Sequence, residues 1–234
     1  MLGLVRSKGL ARALGAQAKL ALGARAASTV GAALDEAVTR LPHKEALRSI
    51  KQEIRWSFKE LNDVVDELAN GFLDLKFESG DVVAVWLPNN AENVVTQLAA
   101  AKAGLTLAVI EPEVSLPEEI AFILQDSKAS GLVFEPKMAG RDQTAIVQGL
   151  FPELDTFRDH MEVFRPKQFR HLHSIITTGF EPVEGMIHLK EMMVNCPEPY
   201  AMKALTKTLS DKTPLAVTYS STFCFRAEGD QIAR

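Results

Sequence analysis

The chain has 234 residues, 47% of them hydrophobic and 24% charged, with a formal net charge of −4. That composition is ordinary for a folded domain and excludes wholesale disorder. Beyond residue 30 the chain carries 21 Lys and Arg against 30 Asp and Glu, the opposite of the balance that phosphate-backbone binding needs, so no nucleic-acid partner is expected.

The opening segment departs from this balance. Arg6, Lys8, Arg12, Lys19 and Arg25 stand among many Ala and Leu, with no acid before residue 30. Wound as a helix, residues 1–30 have a basic face and an apolar face, the pattern of a mitochondrial presequence. Arg25-Ala26-Ala27-Ser28 resembles a matrix-protease cleavage site, so processing near Ser28 and a matrix-side location are expected. The alternative is a basic helix resting on a membrane surface. No apolar run reaches the length of a span, because the longest, Leu98 to Ile110, is broken by Lys102. Cys196 and Cys224 have neither metal-ligand spacing nor a disulfide framework and read as free thiols.

From residue 33 onward, helical and strand patterns alternate. Ser57 and Glu60 have capping-box spacing, and Leu61, Val64, Val65, Leu68, Phe72 and Leu75 then fall on one helical face. Val82 to Pro88 is a continuous apolar run of strand length. An Asn-capped helix follows, and Gly104 stops it. "LTLAVIEP" predicts the next strand, and "LPEEIAFILQDSK" a helix with Pro117, Glu118 and Glu119 in its first turn. "GLVFEP" predicts a third strand. Residues 137–170 are less regular. "HLHSIITTG", His171 to Gly179, predicts a strand, "HLKEMMVN" and "YAMKALTKTLS" helices, and "PLAVTYSS" a closing strand. Apolar strands separated by amphipathic helices predict an α/β fold, a mostly parallel sheet with helices on both faces.

Several marks occur in an order that resembles the opening of an acyl-CoA synthetase of the adenylate-forming, AMP-binding superfamily. They are Gly80-Asp81-Val82-Val83, Leu87-Pro88-Asn89-Asn90, Ala103-Gly104 and Pro112, and then "HLHSIITTGFEPVEGMIHLKEMM". The resemblance runs from about Ala33 to Ser221. It implies the first subdomain of the synthetase large domain over residues 33–222, with residues 223–234 a divergent tail. In that family a Ser/Thr/Gly-rich loop follows, whose backbone N–H groups, hydroxyls and lysine cradle phosphates. Tyr219, Ser220 and Ser221 match its start. Thr222 stands where the first Gly belongs, and Phe223, Cys224, Phe225 and Arg226 follow in place of the glycines and lysine.

Tyr219, Ser220, Ser221 and Thr222 therefore read as a degenerate phosphate-loop remnant, with hydroxyls that satisfy a turn. No catalytic residue, cofactor or metal site is expected. His171 and His173 alternate on the predicted strand and lack a third ligand, so they read as a polar face. His160 and His188 have no triad partner, and no Gly-x-Ser-x-Gly elbow occurs. Glu111, Glu113, Glu118 and Glu119 sit at a strand end and in a helix first turn, where solvent and the helix dipole account for them. The expectation is a non-catalytic accessory subunit, not an enzyme. It would sit on the matrix side of the inner membrane, held by protein subunits of an ATP synthase or respiratory complex through Phe223, Phe225 and the sheet edge. A truncated or split acyl-CoA synthetase, and a weak acyl-CoA or nucleotide binder, are the alternative readings.

Overall fold

The computed structural model describes residues 29–157, 164–193, 205, 208–210, 213–219 and 231–232. It opens with helix α1 (Val30–Arg40), capped by the Thr29 hydroxyl, which accepts from the Ala32 amide. A hairpin follows, β1 (Glu45–Ser49) and β2 (Ile54–Ser57), which the sequence pattern does not announce. Helix α2 (Phe58–Asp74) starts at the expected capping box: the Ser57 hydroxyl accepts from the Glu60 amide, and the Glu60 carboxylate accepts from the Ser57 amide. Its apolar stripe buries Leu61, Val65, Leu68 and Phe72.

The elements that build the sheet come next. Strand β3 (Val82–Trp86) leads through Asn90, which caps its helix, into α3 (Ala91–Lys102). Gly104, at φ +71°, makes the left-handed turn into β4 (Thr106–Ile110). Helix α4 (Pro117–Asp126) and β5 (Gly131–Phe134) follow as expected. The irregular stretch resolves into a two-residue hairpin, β6 (Lys137–Met138) and β7 (Arg141–Asp142), with Ala139 and Gly140 both at positive φ. Asp142 then caps α5 (Gln143–Leu150). A single 3-10 turn (Pro152–Asp155), strands β8 (Ser174–Thr177) and β9 (Ile187–His188), the short helix α6 (Leu189–Met192), β10 (Ala216–Tyr219) and β11 (Gln231–Ile232) complete the described elements.

The main sheet has the order β11-β10-β4-β3-β5-β8-β9. The six strands from β10 to β9 are parallel, and β11 runs antiparallel against Ala216 and Val217. Alternate strand residues feed two cores, as a sheet covered on both faces requires. Val83, Val85, Leu107, Val133 and Ile176 pack with α1, α2, α3 and α6. Ala84, Trp86, Ala108, Ile110, Leu132, Phe134 and Ile175 pack with α4 and α5. The α/β expectation with helices on both faces is met.

Two local expectations are corrected. The strand placed at His171–Gly179 begins only at Ser174, because its neighbour β5 begins at Gly131 and pairs Gly131 with Ser174. The helix expected over 188–195 is one turn, Leu189–Met192, among the described residues. Most of the helix expected at 200–210, the presequence through Ser28, and Ser220 to Asp230 lie outside the described residues.

Candidate functional site

In an open α/β sheet, ligands bind outside the carboxyl ends of the strands, where neighbouring crossovers diverge to opposite faces. Strand β3 has that position here. Its crossover helix α3 joins one core, while α4, after the adjacent β4, and α5, after β5, join the other. The carboxyl edge accordingly gathers Leu87 to Asn90, Glu111 to Pro112, Glu135 to Pro136, Thr178 to Gly179 and the end of β10 at Tyr219.

Each of these exits is tied down. Asn93 Nδ2 donates to the Pro88 carbonyl at 3.0 Å, holding the turn after β3. Thr178, 1% exposed, donates its hydroxyl to the Glu135 carboxylate, which joins the exits of β5 and β8. His188 accepts at Nδ1 from the Lys190 amide, 3.2 Å away. That leaves the proton on Nε2, which donates to the Gly179 carbonyl at 3.1 Å. Arg141 reaches the Glu113 carbonyl at 3.0 Å. Tyr219, 5% exposed, donates its hydroxyl to Asp126 Oδ2 at 2.9 Å, anchoring the last residue of β10 to the last residue of α4. Burial, then the hydrogen bond and charge of Asp126, push the Tyr219 phenol well above its ordinary pKa.

The candidate residues named from the sequence are only partly assembled. Of the phosphate-loop remnant, Tyr219 sits at this edge, and Ser220, Ser221 and Thr222 lie outside the described residues. His171 is exposed, whereas His173 packs on Phe77 with ring centroids 4.5 Å apart and its Nδ1 lies 2.9 Å from the Ser174 hydroxyl. The two do not form a shared polar strand face, since both precede β8. His160, Cys196 and Cys224 lie outside the described residues. Glu118 and Glu119 occupy the first turn of α4 as expected. Among the described residues no group of three His, Cys, Asp or Glu could hold a metal ion, and no helix is long and apolar enough to cross a membrane. A small cleft lined by Ala101, Gly104, Leu105, Leu209 and Leu215 lies at the opposite, amino-terminal edge of β4 and β10. The pairings Tyr219–Asp126 and Thr178–Glu135 escaped sequence reasoning. Their partners are 93 and 43 residues apart, beyond any local pattern.

The sequence profile described as AMP-binding enzyme matches residues 34–221. The chain is 30% identical over 165 residues to the medium-chain acyl-CoA ligase ACSF2, mitochondrial, of Rattus norvegicus, covering 70% of this chain and 26% of that protein. The Danio rerio protein of the same name is 29% identical over 196 residues, covering 83% of this chain and 32% of that one. The chain thus spans about a quarter to a third of the length of these relatives. Among solved structures it resembles acetoacetyl-CoA synthetase from Streptomyces lividans, with a TM-score of 0.63 at 20% identity, over 82% of this chain and 28% of that one. It also resembles the N-terminal domain of FACL13 from Mycobacterium tuberculosis, with a TM-score of 0.61 at 19% identity, over 83% and 42% of the two chains.

These likenesses overturn the expectation of a non-catalytic, non-enzyme subunit of an ATP synthase or respiratory complex. The relatives are acyl-CoA ligases, and nothing about them indicates a structural subunit. The error has a physical origin. The expectation gave decisive weight to the residues after Ser221, whereas the family match covers residues 34–221 and the parallel ladder described runs to Tyr219. The fold that presents the carboxyl edge is one this chain shares with solved acyl-CoA synthetase structures.

Proposed function

The chain belongs to the AMP-binding enzyme family, and on that premise we propose that it is the amino-terminal part of the catalytic unit of an ATP-dependent acyl-CoA ligase. The observation that carries this reading is the placement of β10. It lies parallel to β4 with Tyr219 opposite Ile110, so the chain leaves the sheet for Ser220 and Ser221 at the carboxyl edge, with β4 between it and the switch strand β3.

In the reaction proposed, a carboxylate oxygen attacks the α-phosphorus of ATP, pyrophosphate leaves, and the thiol of CoA then displaces AMP from the acyl adenylate. The part of this chain is positional. The sheet and the Tyr219–Asp126 bond fix where the segment after β10 starts, and Ser220 and Ser221, inside the family match, are the residues whose hydroxyls this reading assigns to phosphate oxygens. Such fixed donors act by stabilising charge as it develops and by holding the reactants in line.

The names of the relatives favour a medium-chain acid as substrate and a mitochondrial location, and the basic, acid-free segment before Ser28 supports the latter. The test is capture of the protein from isolated mitochondria with an antibody against residues 30–219, followed by incubation with octanoate, ATP and CoA. Octanoyl-CoA and AMP should form in equal amounts. Absence of a thioester with every straight-chain acid from acetate to palmitate overturns the reading.

A further inference from the structure

The segment that carries hairpin β1–β2 differs in charge from the rest of the chain. Residues 40–59 contain Arg40, Lys44, Arg48, Lys51, Arg55 and Lys59 against Glu45 and Glu53, while all other residues together carry 20 Lys and Arg against 28 Asp and Glu. The basic side chains face outward, whereas Leu47, Trp56 and Phe58 pack inward on the core.

Four details make this more than a solvated face. Arg48 and Arg55 are direct cross-strand partners, an arrangement of like charges that weakens a hairpin. Glu45 relieves it by accepting from both guanidiniums. Lys44, Lys51 and Lys59 have no ion-pair partner among the described residues. At the tip between the two arginines stands Ile50, a β-branched apolar residue that is 86% exposed. The tip is also held in place. Gln52 Oε1 accepts from the Ala91 amide at 2.8 Å, and Gln52 Nε2 donates to Glu92 at 2.6 Å, so the turn is fastened to the start of α3.

We infer that this hairpin docks the protein on an anionic lipid surface, with Ile50 entering the headgroup layer and Lys44, Arg48, Lys51, Arg55 and Lys59 facing the lipid phosphates. An apolar tip on a hairpin flanked by basic side chains matches an interface that is negative at its surface and apolar beneath it. An acidic protein would satisfy the cations and leave Ile50 without a purpose. The inference does not depend on the ligase reading, although an enzyme acting on amphiphilic acids gains from sitting where they partition.

The experiment is co-sedimentation of the full-length chain with vesicles. Arg6, Lys8, Arg12, Lys19 and Arg25 are replaced by Gln throughout, so that the opening segment contributes no charge. Vesicles of phosphatidylcholine alone are compared with vesicles carrying about 30% phosphatidylglycerol. Binding is expected only to the anionic vesicles, weakening as salt is raised. Combined Lys44→Glu, Lys51→Glu and Lys59→Glu should lower the partition coefficient at least about tenfold. Ile50→Ser should lower it about fivefold with the melting temperature unchanged. Equal binding to both vesicle types, no binding to either, or undiminished binding of the variants overturns the inference. So does retention on immobilised polyglutamate without vesicle binding, which would indicate an acidic protein partner.

Discussion

Tyr219 and Asp126 close the carboxyl ends of a strand and a helix, and the phenol of the first donates to the carboxylate of the second at 2.9 Å. Among the described residues, β11 pairs with Ala216 and Val217, and the phenol bond lies at the far end of β10 from Ala216. Tyr219→Phe should cost about 1 kcal/mol, the net worth of a typical intramolecular hydrogen bond. The phenol should also stay protonated past about pH 10, the ordinary tyrosine value. Comparing phenolate absorbance in the native protein and in Tyr219→Phe checks this, and a Tyr219 contribution that titrates near the ordinary value contradicts it.

Lys102, 4% exposed, fastens three helices. Its ammonium donates to Asp35 of α1 at 2.6 Å and to Asn62 and Asp66 of α2 at 2.7 Å, and its stem passes Gly31. Both carboxylates are about half exposed, so water screens the charges left behind when the lysine is removed. Lys102→Ala loses stem packing as well as the bonds and should cost about 2–3 kcal/mol; Lys102→Met keeps the stem and should cost about half as much. Urea unfolding of the two variants measures the difference. Equal losses would mean that the stem contributes nothing.

Gly71 and Gly149 form a matched pair of helical glycines with opposite expectations. A methyl on Gly71 would stand 2.6 Å from the Met192 carbonyl oxygen and 2.8 Å from the Met192 Cβ, where α6 crosses α2. Gly149 in α5 has nothing within 4 Å. Gly71→Ala should therefore destabilise by about 2 kcal/mol or more through overpacking. Gly149→Ala should stabilise by about 0.5–1 kcal/mol by reducing the entropy of the unfolded chain. Melting temperatures of the two variants decide the point.

Burial lowers the pKa of His173; Arg165 adds to the shift and Asp81 opposes it. The unfolded imidazole titrates near about 6.5, so between that value and the lower folded one the unfolded state binds more protons than the native state. Stability from this group is full above the unfolded value and is lost as pH falls through the window. The loss levels off below the folded value. His173→Gln should flatten the fall in melting temperature between about pH 7 and pH 5. An unchanged slope would assign the acid sensitivity to other groups.

Where the physics is local, the fold was legible. Ser57 and Glu60 announced α2, Asn90 and Gly104 bounded α3, and the apolar runs of β3, β4 and β5 announced a sheet covered on both faces. The hairpin of residues 45–57 was not legible, because its inward Leu47 and Trp56 are too few and its register is shifted between Glu45 and Leu47. The start of β8 was misplaced because apolar pattern alone does not say where the neighbouring strand begins. Of the site, the resemblance marked Tyr219. Its bond to Asp126, and that of Thr178 to Glu135, depend on the sheet having already formed. The function was misjudged for a related reason: the residues after Ser221 were weighed as a sequence, while the placement of β10 is a property of the fold.

The central claim is that this sheet belongs to a ligase that adenylates a carboxylate. Its most direct test is octanoate-dependent exchange of labelled pyrophosphate into ATP, measured without CoA on protein captured from mitochondria, so that only the first half-reaction is read. Exchange that requires octanoate, and that falls at least about tenfold when Ser220 and Ser221 are both replaced by Ala, is the predicted result. Captured protein that exchanges no pyrophosphate with any carboxylic acid, or that exchanges it equally well without Ser220 and Ser221, would contradict the account.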